Sequence, residues 1–567
     1  MSLLLKAAIR LHGRRASLRL DKETQAPRQT QEQFLLRALQ CNAQTSFGRL
    51  HGFAQIRNAA DYRARVPVRD YEDFRPIVKR IMVGEPSVLT EEQPVLLTMT
   101  SGTTGEQKFI PVTRRSQQTE ASLMRQWLYR ALLAHPAYMD ARSVAIVSRA
   151  VEGQTPSGLP YGSASGMTYK NVPPLIRRTQ AIPYNVAEIE DYDLRYFLIA
   201  RFALASEVSF IITPNPSTLL RLADLMRERS EDLLRAIHDG TLGITSIKQE
   251  SVRSQLSKNL RPDPARARRF ARVIKETGAL RPKDCWPSLK LIACWIGGSV
   301  GTQARRLSAD YGHTPLRNLG YIASEGRFTV TAEDNTPSGI LAIGSNFYEF
   351  IPKQETDSAR PTILLSHELE RGRRYSILLT TQGGLYRYRI QDIVEVTGFY
   401  NRTPLISFVR KEGETASITG EKLHVNHLIL ALNEVRQSSH LNIEQFRAAP
   451  DYAANRYHIY LEIKGHVSNA FLKNEVLPLI DGALARVNVE YAQKRASRRL
   501  AAPRLHLMRA GWSSEISRRH IIAGKRDTQY KWPLLCPEPH AEDAPFILRT
   551  IEAVDESERI ASISAAA

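Results

Sequence analysis

Four short segments carry residue types that handle an anion, a flat ring, a cation and a sugar. The first, Thr98-Met99-Thr100-Ser101-Gly102-Thr103-Thr104-Gly105-Glu106-Gln107-Lys108, follows the apolar run Val95-Leu96-Leu97. Gly102 and Gly105 let backbone N–H groups close on an anion, Ser101, Thr103 and Thr104 offer hydroxyl donors, and Lys108 adds a cation. That set suits a polyphosphate. It is not a Walker A loop, because Gly105 is followed by Glu106-Gln107 and not by Lys-Ser/Thr. The second segment is the apolar Leu291-Ile292-Ala293-Cys294-Trp295-Ile296, opening into Gly297-Gly298-Ser299, where open α/β sheets place ligands. The third, Asn318-Leu319-Gly320-Tyr321-Ile322-Ala323-Ser324-Glu325, offers a ring, a hydroxyl and a carboxylate. In an extended chain Tyr321 and Glu325 point the same way, one to stack on a base and the other to hold Mg²⁺. The fourth, Tyr386-Arg387-Tyr388-Arg389-Ile390-Gln391-Asp392, ends in a carboxylate placed to accept from two ribose hydroxyls. Downstream, Phe408-Val409-Arg410-Lys411 adds further cations. Alone, each segment equally describes an ordinary loop or strand end; the information lies in their order and spacing.

The elements that must position these residues alternate between strand and helix patterns. Apolar spacing predicts helices over residues 31–42, 116–134, 191–205 and 218–229, the last capped by Ser217 or Thr218. Strands are expected at 143–147 and 208–213, with a Gly/Ser loop at 162–166 and short antiparallel strands at 377–381, 384–390 and 393–397. Repeated strand-then-helix order argues for α/β architecture with largely parallel sheets. After Lys411-Glu412-Gly413-Glu414 the texture changes to alternating helices and strands, which sets the domain boundary: residues 1–412 and 413–567.

A chain of 567 residues holds at least two compact units, and 43% hydrophobic with 24% charged residues excludes a mainly disordered protein. The net charge of +20 comes from 78 Lys+Arg against 58 Asp+Glu; only 18 of the 78 are Lys. The densest basic stretch, 259–283, has Phe270 as its sole aromatic, so it reads as a solvated helix and not as a single-strand binder. The 4 cysteines form no C-x-x-C pair, which fits a reducing, cytoplasmic setting. No run of about 18 apolar residues appears, so no stable membrane insertion is expected. Residues 1–20 carry Lys6, Arg10, Arg14, Arg15 and Arg19, read as an amphipathic helix lying on the protein.

The series resembles the acyl adenylate-forming superfamily, and more specifically the auxin-responsive Gretchen Hagen family of acyl-acid amido synthetases, as a bacterial-type member. The resemblance runs from Asn42-Ala43, Phe47-Gly48 and Asp70-Tyr71-Glu72-Asp73-Phe74 to Gln529-Tyr530-Lys531. Its most specific pieces are Asn346-Phe347-Tyr348-Glu349-Phe350-Ile351-Pro352, Leu385-Tyr386-Arg387-Tyr388-Arg389 and Val396-Thr397-Gly398-Phe399.

The resemblance implies a large N-terminal adenylate-forming domain, with helix-flanked sheets and a β-barrel-like part, and a smaller mobile α+β C-terminal domain. It implies ATP and Mg²⁺ as cofactors and two substrates, a small carboxylic acid and an amino acid. Ser101, Gly102, Thr103, Thr104, Gly105 and Lys108 would bind phosphates; Gly297, Gly298 and Ser299 would wall the adenine. Tyr321 would stack on it, Ser324 would meet the α-phosphate, Glu325 would hold Mg²⁺, and Asp392 and Arg410 would hold the ribose. Lys531, with Glu325 and Ser101, would be catalytic, delivered by rotation about 411–414. Ser163, Ser165, Gly166, Gly511 and Trp512 would line the acyl and amino-acid pockets. Gln391 stands where the family commonly has Gly, which implies an altered turn before Asp392. An acyl-CoA ligase shares the first half-reaction, and a basic nucleic-acid-binding protein is the non-enzymatic rival. The expected assembly is a monomer or weak dimer that binds no nucleic acid.

Overall fold

Short β-branched runs followed by amphipathic helices build the sheet that organises the first half of the chain. Arg142–Ala145, Val208–Ile212, Leu291–Cys294 and Leu316–Asn318 lie side by side in that order, all parallel. Parallel neighbours need long crossovers, and helices supply them: Tyr192–Leu204, Pro216–Glu228, Pro264–Thr277 and Gly301–Tyr311 among others. The computed structural model describes residues 2–553 apart from 101–106, 244–246, 248–249, 259, 357, 413–414, 420, 497–498 and 524–529.

Two further sheets depart from the parallel expectation. Pro94–Thr100 pairs antiparallel with Lys108–Thr113 and parallel with Pro160–Gly162. A seven-stranded, largely antiparallel sheet runs in the order Thr329–Val330, Gly339–Leu341, Thr403–Lys411, Tyr388–Tyr400, Arg374–Thr380, Phe347–Pro352, Leu364–Leu365. The two strands expected at 384–390 and 393–397 are one, Tyr388–Tyr400, because a bulge at Gln391 carries the chain on without a turn. Helices Pro27–Cys41 and Tyr71–Met82 cover a core that includes Phe34, Phe47, Phe74, Tyr348, Tyr386 and Tyr388.

The motif pieces that carried the resemblance are largely structural. Asp70 caps Tyr71–Met82 in a capping box with Asp73. Phe47 stacks on Tyr386 at 5.0 Å. Glu349 and Arg387 meet inside the core: Arg387 Nε donates to Glu349 Oε2 and Arg63 Nε to Oε1, each at 2.9 Å.

Three local expectations change. Asn215, and not Ser217 or Thr218, caps Pro216–Glu228, since its side chain accepts from the Ser217 N–H. Residues 162–166 are no loop: Ser163 caps the helix Ala164–Lys170. The N-terminal helix Ser2–Gln25 lies on Arg114–Ala134, burying Leu5, Ile9 and Leu20, and Gly13 permits the approach because a Cβ there would meet Tyr129 Cβ at 2.3 Å. The basic helix Pro264–Thr277 buries only Ala267 and Phe270, as a solvated helix does.

Contacts divide the chain into two units, Met1–Phe408 with Lys525–Tyr530 and Val409–Gly524 with Lys531–Ala567. The second is α+β: a mixed sheet, Ile443–Asp451, Arg456–Ile463, Arg504–Met508, Ile547–Ile551, with helices Val425–Ser439 and Leu477–Val487 packed together. No helix among the described residues is long and apolar enough to cross a membrane.

Candidate functional site

Tyr321, Ser324 and Glu325 belong to a tight hairpin in which Ile322–Ala323 pairs with Gly326–Arg327. The turn separates what an extended chain would align. Tyr321 points into the core, its hydroxyl donating to Asp392 Oδ2 at 2.5 Å and its ring stacked on Phe408 at 5.8 Å. Burial, then the Asp392 charge, holds the Tyr321 phenol far above its ordinary range. Tyr321 is 7% exposed, so Phe408 and Phe328 already cover most of the ring that was expected to stack on a base. Glu325 instead lines a cleft and is half-buried. The Tyr388 hydroxyl donates to Glu325, and burial followed by that carboxylate raises the Tyr388 phenol.

Asp392 is buried by the bulge that precedes it. Gln391 takes φ +62, so the left-handed turn that Gly usually provides is made by an L-residue, and Asp392 still faces Tyr321. The bulge falls where the pairing register shifts between Ser376 and Leu378, a device that re-aims a side chain.

The phosphate-type segment joins the antiparallel strands Pro94–Thr100 and Lys108–Thr113; Ser101, Gly102, Thr103, Thr104 and Gly105 lie outside the described residues. Thr98 ties this hairpin to the Glu325 turn by donating to the Ser324 carbonyl at 2.9 Å. Lys108 lies 5.4 Å over the Tyr71 ring, and burial pushes the Tyr71 phenol up to about 12. Gly297 and Gly298 follow the strand Leu291–Cys294 at its C-terminal end, with Gly298 at φ +59. A Cβ on Gly297 would stand 2.8 Å from Pro337 Cβ and 3.6 Å from the Phe408 carbonyl, so this glycine gathers to the same place as Phe408, Tyr321 and Asp392. Ser299 lies in the turn Gly298–Val300.

Ser163 and Gly166 have inward tasks. Ser163 Oγ accepts from the Gly166 N–H and contacts Ser165 Oγ at 2.9 Å, and Gly166 is needed because a Cβ would meet the Ser148 carbonyl at 2.1 Å.

In the second unit Arg410 is buried and donates to the carbonyls of Lys411 and Glu412. The hinge proposed over 411–414 ends outside the described residues at 413 and 414. Lys531 is exposed in a loop. Gly511, at φ +83, donates to Glu462. Trp512, expected on a pocket wall, is fully buried: its indole N–H donates to Asp543, it packs edge-on against Trp532, and Arg447 lies over it. An indole spent on three internal neighbours has no face to offer a substrate.

Sequence reasoning passed over Thr98, Tyr388, Glu120 and Gln382. The first two sat inside segments read for other residues. Glu120 looks like any surface acid on an amphipathic helix, and only the fold turns it toward the cleft, with Gln382 on another wall.

The chain matches models of the GH3 family N-terminal domain over residues 17–316, central domain over 339–411 and C-terminal domain over 426–540. An indole-3-acetic acid-amido synthetase GH3.3 of Arabidopsis thaliana is 24% identical over 543 residues, 89% of this chain and 88% of that one. A jasmonoyl–L-amino acid synthetase GH3.5 of Oryza sativa subsp. japonica is 25% identical over 538 residues, 89% and 91% of the two chains. The solved structure of GH3.15 acyl acid amido synthetase shares the fold, with a TM-score of 0.83 at 21% identity over 94% of this chain and 96% of that one.

Proposed function

This chain belongs to the GH3 family, and from that premise we propose that it is an ATP-dependent acyl acid amido synthetase whose reacting groups meet beside Glu325. In the first half-reaction a carboxylate oxygen attacks the α-phosphorus of ATP, the bond to the β-phosphate breaks, and pyrophosphate leaves an acyl adenylate. In the second an amino-acid amine attacks the acyl carbon, loses a proton, and AMP departs with the broken C–O bond.

The observation that carries the reading is the convergence of Gly297, Phe408, Tyr321 and Asp392 on one wall, linked through the Tyr321–Glu325 hairpin to the Thr98 strand end. In the proposal Asp392 orients the ribose and Tyr321 fixes Asp392, while Ser324 and the segment 101–105 with Lys108 meet the phosphates. Glu325 suits a magnesium ion: among the described residues no group of three or more His, Cys, Asp or Glu gathers, and a hard cation of this kind needs only one or two carboxylates besides phosphate and water. Magnesium held by Glu325 would offset phosphate charge. Lys531 would balance the charge that develops during adenylation, presented by a C-terminal domain that begins near residue 413 and changes position between half-reactions. The enzyme is proposed to act in the cytoplasm as a monomer or weak dimer.

Product analysis tests the assignment. With ATP, a carboxylic acid panel, the amino acids and coenzyme A together, the expected products are an N-acyl amino acid and AMP in equal amounts; a thioester as the sole acyl product contradicts it.

A further inference from the structure

Lys531 is exposed, yet the chain that follows it is buried at Trp532, Leu534, Leu535 and Cys536. This stretch lies along Ile443–Asp451, the edge strand of the four-stranded sheet in the second unit. The Ala448 N–H donates to the Leu534 carbonyl at 2.8 Å, the Cys536 N–H to the Ala448 carbonyl at 2.9 Å, and the Trp532 indole N–H to the Phe446 carbonyl at 2.8 Å. Arg447, on the same strand, is fully buried and lays its guanidinium 4.1 Å from the centre of the Trp532 ring. Its Nη1 donates to both oxygens of Asp543, at 2.7 and 2.9 Å, and Asp543 also accepts from the Trp512 indole, whose ring meets Trp532 edge-on at 4.8 Å. Trp532 is thus held by a strand, by the first residue of the helix Trp512–Ile522, and by Arg447 braced on the turn Ala541–Phe546.

The charge of Asp543 alone does not account for this placement. Arg447 Nη2 is buried without a partner, so the guanidinium leaves donors unpaired while its face stays on Trp532. A lysine is a point charge on a flexible four-carbon stem, and stabilising charge that develops at one phosphorus requires that point to be in one place. A backbone fixed at the next residue confines the search to the Lys531 side chain. Resting on the reading of Lys531 as the group that balances charge during adenylation, we infer that Arg447 and Trp532 are positioning residues for it: the guanidinium–indole stack sets the backbone from which the ammonium reaches out. Neither side chain touches substrate in this assignment. A pin whose only task was to cover the sheet edge would affect both half-reactions alike, whereas a pin that aims Lys531 affects the first.

The test measures the half-reactions separately, with the fastest acid among benzoic, indole-3-acetic and straight-chain acids: ATP–pyrophosphate exchange for the first, and AMP release from the synthetic acyl adenylate by an equimolar amino-acid mixture for the second. Trp532→Ala should lower kcat for exchange by roughly 100-fold, with KM for ATP and the aminolysis rate at parental values. Trp532→Phe keeps a ring against Arg447 but loses the N–H to Phe446, and should lower exchange less. Arg447→Lys keeps a charge beside Asp543 without the flat face on Trp532, and should lower exchange while the melt stays cooperative. These two milder variants decide the matter if Trp532→Ala does not fold. Because the pin acts through Lys531, Lys531→Ala/Trp532→Ala should be no slower in exchange than Lys531→Ala alone. Equal losses in both half-reactions, additive losses in the double variant, or parental exchange in the folded Trp532 and Arg447 variants overturns the inference and leaves the amido synthetase reading standing. Parental exchange in Lys531→Ala overturns the role given to Lys531, and absence of exchange with every acid overturns the amido synthetase reading; the inference falls with either.

Discussion

Glu349 and Glu325 belong to the same unit, each among aromatic residues, and they do opposite work. Glu349 is 1% exposed and gives one oxygen to Arg63 and the other to Arg387, so its charge is balanced from within. Glu325 stands half-buried on a cleft, in contact with Tyr388 and within reach of a ligand. The difference shows that a buried carboxylate is informative only when one asks where its oxygens go. Motif specificity does not answer this: the family-like stretch around Glu349 is more distinctive in sequence than the one around Glu325, yet it holds the sheet together.

The comparison can be broken by mutation. Glu349→Ala should leave the buried Arg387 without a counter-charge and lower unfolding free energy by about 3–5 kcal/mol, read by denaturant titration, with any loss of activity following loss of fold. Glu325→Gln should do the reverse, cutting adenylation by roughly 100-fold or more with the thermal midpoint unmoved. A comparable loss of stability in both variants would erase the distinction.

The second unit offers an inward site of another kind. His506 is buried, contacts His458 at 3.2 Å and stacks on Tyr460, and burial, with the charges of His458 and Arg504, lowers its imidazole to about 4. The unfolded chain takes up that proton near pH 6.5 and the folded one only near pH 4, so stability falls as pH drops through this window. The loss amounts to about 3 kcal/mol at most. His506→Gln should flatten the dependence between pH 6.5 and 4; an unchanged slope would show that other groups carry it.

Smaller effects sharpen the picture. Ser163→Ala removes the cap of Ala164–Lys170 and should cost about 1 kcal/mol, with substrate KM following only if Ser163 also reaches a ligand. Gln391→Gly should relieve the left-handed strain at φ +62 and change stability by less than about 1 kcal/mol, since the added freedom of the unfolded chain offsets it. Adenylation rates in that variant should stay at the parental level if Asp392 keeps its bond to Tyr321.

Much of this arrangement was legible in the residues. Helix positions followed from apolar spacing, and Asp392, Glu325 and the Gly297-Gly298 opening stood out through the order and spacing of their segments, each of which alone equally describes an ordinary loop or strand end. What was not legible depended on long-range pairing. Nothing local tells that residues 388–400 form one bulged strand, because Gln391 has no composition signature for a positive φ. Trp512 looked like a pocket aromatic until Asp543, 31 positions away, claimed its indole N–H. Glu120 and Gln382 are 262 positions apart, and neither is unusual until the fold sets both on one cleft.

The account stands most directly on carboxylate-dependent ATP–pyrophosphate exchange in Glu325→Gln and Asp392→Ala, each first checked for a cooperative melt. Exchange that is robust in the parent and collapses in both folded variants is the predicted result. Exchange at the parental rate in both would contradict the placement of the reaction at this site.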